Sequence, residues 1–214
     1  MALDFTRRSL DVRHVLDVLC DLEGLAVGVK VGLPLTTAIG WSGIRELVCR
    51  ASHFYWLADY KLADIPEVNL LTLEKLKGLG FDGAILHLFT MGHETLASRA
   101  REIGVDLVGT TVMSHRGCLL LEESFERLVS YARAVEIPGL VVGATRPALI
   151  SRAKELYPEA VLFSPGVGAQ GAKPGSAIAR GADFEIVGRS ITLSEDPVRV
   201  AEQIVSAQRR CVRA

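Results

Sequence analysis

Short apolar runs rich in Val, Ile and Leu alternate along this chain with longer stretches in which charge recurs on one face, and Gly, Pro, Asp or Ser mark the joins. Eight runs read as strands: Ala2–Phe5, Ala26–Gly32, Tyr55–Lys61, Gly83–Phe89, Asp106–Met113, Gly139–Gly143, Ala160–Ser164 and Phe184–Gly188. Amphipathic helices are expected between them. Pro66, Pro147 and Pro197 stand at the first turn of three of these helices, where a missing N–H costs nothing. Gly78, Gly104 and Gly181 stand where helices should stop. Eight strands alternating with helices predict an α/β chain folded as a single-domain (β/α)8 TIM barrel over residues 1–214. A doubly wound open sheet gives the same alternation, but no GxGxxG follows the first strand, which lowers that alternative.

Composition narrows the function more than the fold. At 214 residues the chain can bury one sizeable core and is short for two domains. Its 24 Lys and Arg against 25 Asp and Glu, a net charge of -1, create no chain-wide field for nucleic acid or an anionic membrane, so a small molecule is the expected partner. Cys20, Cys49, Cys118 and Cys211 form no CxxC and have no His partners at ligand spacing, so neither a zinc site nor a redox dithiol is expected. Charges interrupt every apolar segment before it reaches membrane-spanning length, and an acid at Asp4 stands where a signal peptide needs an apolar run. A cytoplasmic protein is expected.

A barrel gathers its chemistry at the C-terminal ends of its strands. Asp59 and Lys61, two apart at the end of the third run, project to the same face. Opposite charges at the end of an apolar strand are costly unless paired or used, and a lone pair of this kind is as readily a satisfied ion pair. Lys30 near the end of the second run and Asp4 near the end of the first put charge at three consecutive strand ends, and Asp64 follows in the turn. A second constellation runs from Ser164 to Gly175 and on through Val187-Gly188-Arg189-Ser190. Glycine-rich loops after the last two strands of a barrel admit backbone N–H groups to a phosphate, and Arg189 there would clamp it.

The segment from Asp59 to Asp64 resembles the DxKxxD motif of the orotidine monophosphate decarboxylase superfamily, and the likeness runs through Lys30–Pro34, Ala58–Asn69, Met113–Gly117 and Ser164–Ser190. Relatives acting on sugar phosphates usually need a divalent metal and carry an acid where this chain has Lys30. The resemblance therefore implies a metal-free tetrad of Lys30, Asp59, Lys61 and Asp64, and decarboxylation of orotidine monophosphate without a cofactor. It implies that Lys61 stabilises and protonates the carbanion left at C6, that Asp59 crowds the leaving carboxylate, and that Lys30 positions Asp59 and binds ribose. It further implies that Asp64 crosses a homodimer interface, that Asp4 holds a ribose hydroxyl, and that Ser114 reads the pyrimidine edge. A helix N-cap is the bland alternative for Ser114. Pro165, Gly166, Gln170, Gly188 and Arg189 are expected around the phosphate, with the glycine loop serving as a lid.

Three departures stand out. Val68 replaces a common threonine, Arg116 replaces the proline of an MSHPG-like segment, and Thr90-Met91-Gly92-His93 lacks the usual GFPG-like turn, so no role is carried over from there. His87 and His115 complete no pair with a nucleophile and are expected to pack; Trp41 and Trp56 are expected in the core or between helices. The rival readings are a metal-dependent sugar-phosphate decarboxylase or aldolase, which Lys30 disfavours, and a phosphate-ligand binding protein without chemistry, which has little reason to keep so crowded a charge cluster. The basic run at Arg209–Arg213 is read as complementing a helix dipole.

Overall fold

The structure, a computed structural model, describes residues 1–4, 11–115 and 117–212. Helix α1 (Val12–Asp21) leads into β1 (Gly28–Gly32) and α2 (Leu33–Arg50), then β2 (Tyr55–Leu62) and α3 (Pro66–Leu79), and β3 (Gly83–His87) and α4 (Glu94–Ile103). The chain continues through β4 (Asp106–Val112), α5 (Leu119–Glu123), α6 (Phe125–Ala134), β5 (Gly139–Val142) and α7 (Pro147–Leu156). It ends in β6 (Val161–Pro165), β7 (Phe184–Ile186), α8 (Arg189–Thr192) and α9 (Pro197–Val212). The seven strands are parallel and pair in sequence order from β1 to β7, so the sheet curls into a barrel inside a ring of helices.

The expected first strand corrects to a single bridge. Ala2 pairs with Lys30, Lys30 N donates to Met1 O at 2.7 Å, and Ala2 N donates to Val187 O at 2.8 Å, so these few residues plug the gap between β1 and β7. Pairing stops there because Asp4 turns its carboxylate onto Gly32 N at 2.7 Å instead of continuing the ladder. Phe5, Arg116 and Arg213 lie outside the described residues. The other strands form where expected, five of them with shorter ends, while β2 runs one residue further to Leu62 and β6 is shifted by one to Val161–Pro165; the run past His87 becomes a 3-10 turn, Leu88–Thr90.

Alternation divides the core in two, as a barrel requires. Leu57, Ile85, Val108 and Val141 fill the interior, while Trp56 and Ala58 join the larger layer between sheet and helices. Each fully buried Leu or Ile contributes roughly 1.5–3 kcal/mol. The three prolines open α3, α7 and α9 as expected. Gly104 caps α4 in the left-handed region, but α3 runs through Gly78 and stops at Gly80, whose φ is 95°. Trp56 is core, its Nε1 donating to Ala51 O at 3.0 Å. Trp41 is 51% exposed and meets Tyr60 edge-on.

The unfamiliar turn at residues 90–93 is pinned from within. His93 is buried, its backbone N–H donates to Tyr131 Oη at 2.7 Å, and its ring nitrogens face Tyr131 Oη and Thr90 Oγ1 at 3.1 Å each. Thr90 Oγ1 in turn donates to His87 O. The turn after β3 is thus tied to α6 by side chains, which replaces the backbone economy of a glycine-proline turn.

Candidate active site

The C-terminal ends of the strands enclose a cavity of about 320 Å³. Ten residues expected at the site line it: Asp4, Lys30, Asp59, Lys61, Ser114, Pro165, Gly166, Gln170, Gly188 and Arg189. A larger cavity, about 1170 Å³, opens at the opposite end around Val27, Tyr55, Asp106 and Phe184. Its walls are mostly apolar, and it gathers neither the charge cluster nor the glycine loop.

At the centre is a chain of alternating charges. Lys30 Nζ donates to Asp4 Oδ2 at 2.9 Å and lies 2.7 Å from Asp59 Oδ2, while Lys61 Nζ donates to Asp59 Oδ1. Burial alone would push the Lys30 ammonium down in pKa, but Asp59 and Asp4 outweigh it and hold the value above the ordinary lysine range. Asp59 shows the mirror image: burial pushes its carboxyl up, yet Lys30 and Lys61 bring it below the usual carboxylate range. Both groups are therefore held charged at neutral pH.

Lys61 reaches this position through an irregular backbone. The β2–β3 register shifts between Ala58 and Leu62, and Lys61 has φ 50°, the left-handed region that non-glycine residues seldom enter. Such a residue costs roughly 1–2 kcal/mol and persists where its surroundings hold it. Immediately beyond, the buried Asn69 amide brackets the turn, donating to Asp64 O at 2.8 Å. Asp64 itself is exposed on the rim, with Oδ1 accepting from Ile65 N, and the chain does not bring it to the other three charges.

Opposite the charges, the glycine loop closes on itself. Gly168 N donates to Ala172 O at 2.8 Å, and Gly171 N to Gly168 O at 2.9 Å. Gly166 (φ 110°) passes so near Ser114 and Gln170 that a Cβ would lie 2.7 Å from Ser114 Cβ. At Gly168 (φ 75°) a Cβ would collide with Ser190 Oγ. The far end is anchored by Glu185, which accepts from Gly175 N and Ala177 N at 2.9 Å each. Ser114 is held from its backbone, where Thr145 Oγ1 donates to its carbonyl at 2.6 Å. It caps no helix, since α5 begins at Leu119 behind Cys118.

Sequence reasoning missed Asn69, Thr145 and Glu185. Asn69 follows a proline-led helix start and Glu185 interrupts an apolar strand, both visible oddities; Thr145 gives no signal before the fold is known. His87, expected only to pack, ends β3 beside the charges. Burial first, and then the Lys61 charge, lower its pKa, so the ring is neutral.

Residues 1–204 match the family model described as orotidine 5'-phosphate decarboxylase / HUMPS family. The orotidine 5'-phosphate decarboxylase of Aeropyrum pernix is 42% identical over 218 aligned positions, covering 96% of this chain and 88% of that protein. The crystal structure of orotidine 5'-monophosphate decarboxylase from Metallosphaera sedula superposes with a TM-score of 0.82 at 38% identity, covering 98% of this chain and 97% of that one. The enzyme from Methanocaldococcus jannaschii, solved with the inhibitor BMP, superposes with a TM-score of 0.87 at 28% identity, covering 97% and 96% of the two chains. The geometry at the strand ends and these matches agree: the chain belongs to the orotidine 5'-phosphate decarboxylase / HUMPS family.

Proposed function

We propose that this protein decarboxylates orotidine 5'-monophosphate to UMP and CO2, a step of pyrimidine nucleotide biosynthesis, and does so in the cytoplasm without a cofactor. The observation that carries the reading within the family is Lys30: an ammonium bonded to Asp4 and Asp59 occupies the place where metal-dependent relatives need an acid. Among the described residues no helix is long and apolar enough to cross a membrane.

Heterolysis of the bond between C6 and the carboxylate leaves an electron pair on C6 that the pyrimidine ring cannot delocalise. Lys61 supplies the placed positive charge and then the proton, giving UMP, and is reprotonated from solvent. Asp59 stands beside the departing carboxylate, where like charges crowd the bound substrate and separate as CO2 leaves. Lys30 holds Asp59 in place and, with Asp4, reaches the ribose. Ser114 faces the pyrimidine edge, and Pro165, Gly166, Gln170, Gly188 and Arg189 surround the phosphate. Purified protein is expected to convert orotidine 5'-monophosphate to UMP, followed by ultraviolet absorbance, at a rate unchanged by a chelator. No conversion, or conversion that a chelator abolishes, would overturn the reading.

We further propose a homodimer in which Asp64 completes the partner's site. Asp64 is exposed, and beside it Ile65, Val68 and Leu71 are 59%, 41% and 60% exposed, an apolar face at the start of α3 that is open to solvent. Val68 keeps that face apolar where a threonine is common. Mixing inactive Asp64→Asn and Lys61→Ala chains should restore about a quarter of wild-type activity, because half of randomly formed dimers are hybrids and each hybrid holds one intact site. No recovery in mixtures shown to exchange subunits would place Asp64 in its own chain's site.

A further inference from the structure

One wall of the cavity carries a hydroxyl that the chemistry above does not use. Thr110 on β4 is fully buried, with His87 on β3 and Val141 on β5 as its register neighbours. Its Oγ1 has no hydrogen-bond partner among the described residues, and neither has Nδ1 of His87 beside it. The next residue shows the contrast: Thr111 faces the other way and its Oγ1 donates to Val141 O at 2.8 Å.

Leaving a buried hydroxyl unsatisfied costs about 1–3 kcal/mol. Valine has the same shape and branching and would fill the position without that cost. Thr110 lines the cavity that holds Lys61 and Asp59, and the side chains that share its wall, Ile85, Val141 and Ile186, offer no hydrogen bond. His87 is neutral and brings no charge to this wall. Ser114 and Gln170 both lie against Gly166 at the glycine loop, where the phosphate is bound in the proposed function. With the phosphate gripped there and C6 at Lys61, the group leaving C6 is directed away from the glycine loop, toward the wall between β3 and β5.

We infer that Thr110 Oγ1 donates a hydrogen bond to the substrate's carboxylate, making Thr110 a further substrate-contacting residue that selects the carboxylated nucleotide over the product. This rests on the decarboxylase reading. The partner is an anion, so the bond is charge-assisted, and it is lost when the carboxylate becomes neutral CO2. Thr110 therefore recognises the substrate and lets go of the product.

The test is equilibrium binding of orotidine 5'-monophosphate and UMP, by calorimetry, to Lys61→Ala protein and to the same protein carrying Thr110→Val or Thr110→Ser. Without Lys61 the substrate is not consumed during titration. Thr110→Val is expected to weaken orotidine 5'-monophosphate by roughly tenfold or more, the worth of a hydrogen bond to a charged group, and to leave UMP unchanged. Thr110→Ser should keep the difference between the two nucleotides. The ligand-free Thr110→Val protein should melt no lower than its parent, because it loses an unsatisfied hydroxyl. Equal weakening of both nucleotides, no weakening of either, or a melting temperature several degrees lower would overturn the inference. If neither nucleotide binds any of the proteins, the decarboxylase reading falls first and takes this one with it.

Discussion

Lys61→Ala is expected to abolish decarboxylation, lowering kcat/KM by well over about 10⁴-fold, more than the loss of a general acid alone. The size follows from two roles in one group. In the proposed mechanism the ammonium is the positive charge nearest the carbanion and also the proton source. Removing an electrostatic stabiliser in a water-poor site commonly costs about 10²–10³-fold, and removing a general acid a further ~10²–10⁴-fold. The fold should survive the change. Lys61 is partly exposed, whereas Asp59 keeps its bond to Lys30 at 2.7 Å, so no carboxylate is left buried and unpaired. Lys61→Arg separates the roles: it keeps a positive charge but is a poor proton donor, and its planar fork does not fit a site built for a point charge. It is expected to stay severely impaired. Steady-state kinetics, with circular dichroism to check folding, decide the matter, and a Lys61→Ala protein within about 100-fold of wild type would remove Lys61 from the chemistry.

The barrel was legible because strand and helix periods differ and alternate, and ten of the eleven expected site residues sit around one cavity because they lie at predicted strand ends or in the loops that follow them. The spacing of Asp59 and Lys61 placed both on one face, although the route is not a regular strand: the left-handed φ of Lys61 and the register shift beside it are tertiary effects with no residue signature. The first strand was overestimated because Ala2-Leu3-Asp4-Phe5 has the composition of a strand, and only the fold shows Asp4 spending its carboxylate on Gly32. Gly78 misled because nothing local distinguishes it from Gly80 two residues on; the helix ends where Phe81 must turn into the core. Thr110 was invisible for a different reason. A threonine among valines reads as an ordinary strand residue, and its missing partner is a property of the assembled cavity. Asp64 stays on the rim, and a sequence cannot say which chain's site it would serve.

Removing the phosphate from the substrate is the other change with a large expected effect. Orotidine should be turned over with kcat/KM lower by about 10⁴-fold or more, the equivalent of two or three charge-assisted hydrogen bonds at roughly 1.5–3 kcal/mol each. The more telling expectation is that kcat falls along with affinity. Gln170 is exposed on a loop that closes on itself through Gly168, Gly171 and Ala172, while Arg189 begins α8 on the next connection, so a phosphate held by both would tie the loop to the start of α8. Binding energy collected there can order the loop over the cavity and exclude water from the charge chain around Asp59, which raises the rate of a step several bonds away. Arg189→Ala should reproduce the loss with the full substrate and be partly rescued by free guanidinium, whereas orotidine turnover should be nearly indifferent to the same substitution. If truncation raised KM alone and left kcat untouched, the loop would serve as an anchor only, and closure would have no part in the chemistry.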